Sequence, residues 1–148
     1  MRSRTNLYVI MSIFVFLLLP GIAGFAAAAE PLLVKDINPG DAGSQPSEMI
    51  DVNGTLFFTA DNGTHGCELW KSDRTTVGTV MVKDIWAGST GSSPDNLTDV
   101  NGTLFFTADD GTHGGELWKS DGSEAGTVMV KDINSGPGDS CAYRSFFT

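Results

Sequence analysis

The 148-residue chain carries 18 acidic residues against 9 lysines and arginines, a formal charge of −9, and 18 glycines. That balance argues against nucleic acid as a partner, because phosphate binding needs a basic stripe, and the scattered cations offer no patch to an anionic membrane. Abundant glycine with few charged residues points to a turn-rich all-β protein, and the aromatic and aliphatic residues in every segment argue against disorder.

Residues 1–29 open with Arg2 and Arg4, continue as an apolar run over 7–19 broken only by Ser12, pass Pro20-Gly21 and end on Ala27-Ala28-Ala29. A basic start, an apolar middle and a small-residue end are the layout of a secretory signal peptide. Cleavage after Ala29 and export are therefore expected, to the periplasm, the cell surface or the medium. An uncleaved anchor is the alternative, since a membrane span needs about 20 apolar residues.

Beyond this segment the chain repeats itself. Residues 51–85 recur at 99–133, 48 positions on, with differences only at 62, 67 and 74–77, and the Val-Lys-Asp-Ile ending each copy also stands at 34–37. Periods of about 20–50 residues mark arrays whose units bury their apolar faces against neighbours. The organisation is a partial repeat at 30–50, a first repeat at 51–98, a second repeat with the start of the next at 99–140, and an irregular tail at 141–148. In that tail Phe146-Phe147-Thr148 matches Phe57-Phe58-Thr59 but arrives early. This reads as a truncated unit, or as a fragment that associates with another copy through open strand edges, which invite pairing.

Within one copy four strands are predicted. The first, 47–52, ends at Asn53-Gly54, a strong hairpin signal because both central positions of a type I′ turn need positive φ. The second, 55–60, sends Leu56 and Phe58 to one face and Phe57 and Thr59 to the other, as in a strand buried on both sides. A turn over 61–66 leads to the third, 68–72, anchored by Trp70, and the turn Ser72-Asp73-Arg74-Thr75 leads to the fourth, 79–85. In the second copy Trp118 stands for Trp70, and Ser120-Asp121-Gly122-Ser123 forms the turn. Both tryptophans are expected in the core. Outside the first 29 residues no window shows the three-and-four apolar spacing of a helix. Four strands in 48 residues, apolar on both faces, have the size of a β-propeller blade. A β-solenoid is the alternative, although hexapeptide and nonapeptide coils are much shorter than this unit.

The runs Glu68-Leu69-Trp70-Lys71-Ser72-Asp73 and Glu116-Leu117-Trp118-Lys119-Ser120-Asp121-Gly122, with the later Gly-Thr and Val-Lys-Asp-Ile, resemble the ELWxxDGT repeat family of secreted or surface bacterial proteins, which is similar to hyalin-like and propeller repeats. The first copy departs from the pattern at Arg74, where the turn glycine is expected. The resemblance implies an architecture and a location, and no catalytic activity goes with the motif.

Asp61, Asp73, Asp109, Asp110 and Asp121 offer hard oxygen ligands suited to calcium, but Asp and Asn before Gly also serve turns by bonding the local backbone. No full calcium loop with its closing Glu is present. Turn chemistry is the simpler reading, and no other cofactor is implied. His65 and His113 sit in matching Gly-Thr-His-Gly turns without the further ligands that zinc needs. Cys67 and Cys141 form an even pair in an exported chain, which permits a disulfide. The sequons at Asn53, Asn62, Asn96 and Asn101 are chiefly turns of the repeat. Catalytic sites are built from unlike residues, whereas these copies supply the same residues each time. The expected function is thus a non-catalytic structural or binding module outside the cell, contacting an extracellular protein or glycan, with a fragment of a secreted propeller hydrolase or a calcium-binding surface protein as alternatives.

Overall fold

Alternation of apolar residues with period two and glycine-bearing turns between the runs give this chain strands and no helices among the residues described. The computed structural model describes residues 30–140. The predicted signal segment, the tail and Cys141 lie outside them. The strands are β1 (Ser47–Val52), β2 (Thr55–Asp61), β3 (Cys67–Ser72), β4 (Val80–Lys83), β5 (Asp95–Val100), β6 (Thr103–Asp109), β7 (Gly115–Ser120) and β8 (Val128–Lys131). They form two four-stranded antiparallel sheets in the orders β1-β2-β3-β4 and β5-β6-β7-β8. Neither sheet closes on itself, so β1, β4, β5 and β8 are edges. The sheets are phased a few residues ahead of the repeat as divided at 51 and 99, and a tandem repeat has no intrinsic starting point.

The turns follow from backbone chemistry. Asn53 and Gly54 both have positive φ (52° and 84°), as do Asn101 and Gly102 (53° and 84°), the conformation a tight hairpin demands. The Asp51 carboxylate accepts the Gly54 N–H at 2.9 Å and Asp99 that of Gly102 at 2.8 Å. One irregularity per copy breaks the β1–β2 and β5–β6 registers, between Ser47 and Ile50 and between Asp95 and Thr98. Glu48 and Asn96, inside those breaks, have φ of 52° and 58°. The fourth strand is shorter than the predicted 79–85 because both ends have other partners. The Thr79 hydroxyl bonds the Ser72 hydroxyl and donates to Thr75 O, each at 2.7 Å, and the Ile85 N–H is drawn to the Glu68 carboxylate.

Each sheet has two apolar faces. The leading face carries Leu56, Phe58, Ala60 and Trp70 in the first sheet, and Leu104, Phe106, Ala108 and Trp118 in the second. The trailing face carries Val52, Phe57, Leu69, Val82 and Ile85, and by the same alternation Val100, Phe105, Leu117, Val130 and Ile133. The core is the trailing face of the first sheet packed on the leading face of the second, with Ile50, Leu97 and Met129 at its margin. A second cluster joins Phe58, Ala60 and Trp70 to Ile37, Leu56 and Met81. Each fully buried large apolar side chain contributes about 1.5–3 kcal/mol, so this stacking holds the sheets together. Trp70 and Trp118 are both buried, and each indole N–H donates at 3.0 Å to a carbonyl of the neighbouring strand, Ala60 O and Ala108 O.

Polar bolts cross the stack. Lys83 Nζ donates to Thr127 O at 2.9 Å and lies 5.9 Å over the Trp118 ring, and Lys71 Nζ donates to Gly122 O at 2.7 Å. The stub before β1 repeats the arrangement: Lys35 Nζ donates to Thr79 O at 2.7 Å. The Asp61 N–H likewise donates to Ser44 O as the Asp109 N–H does to Ser92 O. Residues 32–46 therefore stand to the first sheet as 80–94 stand to the second. Among the described residues the second sheet has no such cover on its trailing face. Val52, Val82 and Ile85 are 5, 6 and 8 % exposed, whereas Val100, Val130 and Ile133 are 47, 44 and 60 % exposed.

Candidate functional site

Antiparallel order sends the connections to two opposite ends of each sheet. One end holds the β2–β3 and β6–β7 turns and the link between sheets. The other holds the Asn-Gly hairpins and the β3–β4 and β7–β8 turns. The five candidate calcium ligands divide accordingly, with Asp61, Asp109 and Asp110 at the first end and Asp73 and Asp121 at the second. Strands of six or seven residues, each rising about 3.3 Å per residue, separate the two groups.

Every one of these carboxylates serves its own turn. Asp61 accepts the Gly63 N–H and Asp109 the Gly111 N–H, both at 2.7 Å. Asp73 takes the Thr75 N–H and hydroxyl at 2.9 and 2.7 Å, and Asp121 those of Ser123 at 2.8 and 2.7 Å. These bonds, the hydroxyl first, hold both carboxyls below the usual aspartate range. Among the described residues no three His, Cys, Asp or Glu side chains gather to hold a metal.

The two aspartate-rich turns differ at one position. In the first, Asn62 Oδ1 accepts the N–H groups of Thr64 and His65 at 3.0 Å, and the Asn62 side-chain amide meets His65 Nδ1 at 2.9 Å. In the second, Asp110 Oδ1 accepts from Thr112 and His113 at 2.9 and 3.0 Å, and Asp110 Oδ2 meets His113 Nδ1 at 2.8 Å. Burial alone would raise the Asp110 carboxyl, but the hydrogen bonds from His113 and Thr112 outweigh it and hold the group low. The hydrogen bond to Asp110 in turn raises His113. This ion pair adds stability between the ordinary carboxyl value of 3.8 and the ordinary histidine value of 6.5. The contribution is lost as pH falls through the lowered aspartate or rises through the raised histidine.

A feature not foreseen in the sequence lies beneath the first turn. Glu68 is fully buried, and its carboxylate accepts the Ile85 and Trp86 N–H groups at 3.2 Å, the Ser92 N–H at 2.9 Å and the Ser92 hydroxyl at 2.6 Å. One side chain thus ties the link between the sheets to the start of β3. Burial pushes the carboxyl up, and the bonds from Ser92, Ile85 and Trp86 pull against it. In the second sheet Glu116 is equally buried but accepts the Ile133 N–H at 3.1 Å through Oε2, while Oε1 has no partner among the described residues. A charged residue near the strand start before Leu-Trp, repeated in both copies, was the signal for this clamp.

Cys67 is half-buried, and burial raises its thiol against the hydrogen bond with Thr59. Its predicted partner Cys141 lies outside the described residues. At the opposite end a small cleft of about 160 Å³ opens between the sheets, lined among others by Asn53, Phe57, Lys71 and Asp121. At the first end the turns thus carry locally bonded carboxylates and a part-exposed imidazole. Set against models of protein families, curated proteins and solved structures, the chain has no match.

Proposed function

We propose that the chain is an exported, non-catalytic repeat module, related to the ELWxxDGT repeats, whose turns offer a repeated contact surface to an extracellular protein or glycan. Its two sheets are read as blades of a propeller-like stack, which the up-and-down strand order and the face-to-face packing at a fixed period support. The observation that carries the functional reading is the aspartate–glycine–histidine turn, built twice with the same local bonds at the same end of both sheets. Binding residues concentrate on loops that a rigid scaffold positions. Arrays of glycans and matrix proteins probed with the intact chain test it. Binding that falls on His65→Ala and on His113→Ala, with the melting transition retained, is the expected result. A uniformly blank array would leave only a spacer role.

A further inference from the structure

At position 86 the link between the sheets departs from the repeat. Asn38, Trp86 and Asn134 hold equivalent places, each directly after Asp-Ile, and the first two lie against the glycine of the aspartate-rich turn that follows. A Cβ on Gly63 would stand 2.7 Å from Asn38 Oδ1, whereas one on Gly111 would stand 2.6 Å from Trp86 Cε2, 2.7 Å from Nε1 and 3.1 Å from Cδ2. The backbone of the second turn therefore rests on the five-membered ring of an indole. Only glycine allows so close an approach, and the φ of 81° at Gly111 favours it as well.

Both sides of this contact are fixed, yet the indole is not closed off. The Trp86 N–H donates to the buried Glu68 carboxylate, and Asp109 and Asp110 hold the turn through Gly111, Thr112 and His113. Trp70 and Trp118 are 6 and 5 % exposed and give their indole N–H groups to carbonyls. Trp86 is only part-buried, and its indole N–H has no hydrogen bond among the described residues. Beside it, the second carboxylate oxygen of Asp109 and the outer imidazole nitrogen of His113 are equally unbonded among the described residues.

We propose that Trp86 and the turn over 109–113 form a binding site for a neutral oligosaccharide, with the indole as the platform for one sugar ring. A pyranose carries C–H groups on its faces and hydroxyls at its rim. The face lies on an aromatic surface that has a polar edge, and the hydroxyls, each both donor and acceptor, match the indole N–H, the carboxylate oxygen and the imidazole nitrogen. Charge selects a neutral sugar, because Asp109 and Asp110 stand in the turn, Glu116 and Asp132 act on His113, and the chain carries −9. A protein partner fits less well. An aromatic hot spot sits at a desolvated centre, whereas Trp86 is flanked by exposed Ala87-Gly88-Ser89-Thr90 and faces exposed Gly111 and Thr112. The site rests on the contact role proposed for the turns at this end and gives that role a partner of stated chemistry.

Calorimetric titration of the intact chain with cello-, manno-, galacto- and chito-oligosaccharides tests it, with oligogalacturonate as the anionic control. Intrinsic fluorescence reads the same event, since Trp86 is the part-buried member of the chain's three tryptophans. A neutral oligosaccharide should bind, shift the emission to the blue and protect it from acrylamide, and oligogalacturonate should not bind. Trp86→Asn installs the residue that both other copies carry, so it should keep the melting transition and weaken binding roughly tenfold. Trp86→Tyr should retain most of the affinity. Sugar binding that falls on His113→Ala but ignores Trp86→Asn overturns the Trp86 site and leaves the contact role of the turns standing, as does binding to proteins alone. Binding to neither sugars nor proteins removes both.

Discussion

The two sheets are almost the same sequence in two different surroundings. Phe57 and Phe105, Leu69 and Leu117, and Val82 and Val130 are matched pairs on matched strands, yet the first of each pair is buried and the second is not. Burial in this molecule is therefore conferred by the neighbour that stacks on a strand, while the strand's own residues decide only that it can be buried on either side. A repeat array distributes its stability in this way, as unit terms plus nearest-neighbour terms, and matched substitutions separate the two.

The largest contrast is expected at the phenylalanines. Phe57→Ala should cost about 3–5 kcal/mol because it opens a cavity between the sheets, whereas Phe105→Ala, at a ring that is only half-buried, should cost less, about 1.5–3 kcal/mol. Chemical denaturation of the two variants measures the neighbour term, and equal losses would break the comparison. A smaller difference is expected at the buried glutamates. Glu68→Gln puts an NH2 donor where a carboxyl oxygen accepts from Ile85, Trp86 and Ser92, a mismatch of about 1–3 kcal/mol by the usual cost of a buried unsatisfied group. Glu116→Gln, which touches one described bond, should cost less. The pH dependence has a definite sign. Because burial raises the Glu68 carboxyl above its ordinary 4.5, its contribution is complete below that value and lost as pH rises through the raised one. The gap between wild type and Glu68→Gln should therefore narrow over that window, and melts at pH 4 and pH 8 would show whether it does. The smallest effect belongs to the turn after β3. Arg74 is held at a φ of 75° where the second copy has Gly122 at 86°, and a left-handed side chain costs about 1–2 kcal/mol. Part of that returns as chain entropy in the unfolded state, so Arg74→Gly should stabilise by about 0.5–1 kcal/mol. A loss of stability would mean that the Arg74 side chain makes up for its strained backbone.

Much of the fold was legible because local chemistry and repetition agree. Asn53-Gly54 announced a hairpin and has the positive φ values of one. The alternation of Leu56, Phe57 and Phe58 announced two buried faces, and the tryptophans lie in the core as expected. The early end of β4 was hidden, because Ile85 leaves the ladder for a carboxylate seventeen residues back, a distance that no periodicity reports. The Glu68 clamp was missed for the same reason: its partners lie in a loop whose path only tertiary structure defines. Nor could the sequence tell the two sheets apart, since Leu69 and Leu117 have the same neighbours along the chain. As for the candidate ligands, reading them as turn residues matches the bonds that Asp61, Asp109 and the others make, and their division between two ends of the sheets depends on strand order.

The lysine bolt has both halves in the same repeat. The donor Lys83 reaches forward to Thr127 O, and a few residues earlier the Thr79 carbonyl receives Lys35 from behind. A gene duplication that copies one whole period of 48 codons therefore delivers a unit already equipped to give and to receive, and the joint it creates is one that the protein has made before. An insertion that shifts a strand out of register would part the donor from its acceptor. Adding one complete period of 48 residues should therefore leave every lysine-to-carbonyl joint intact.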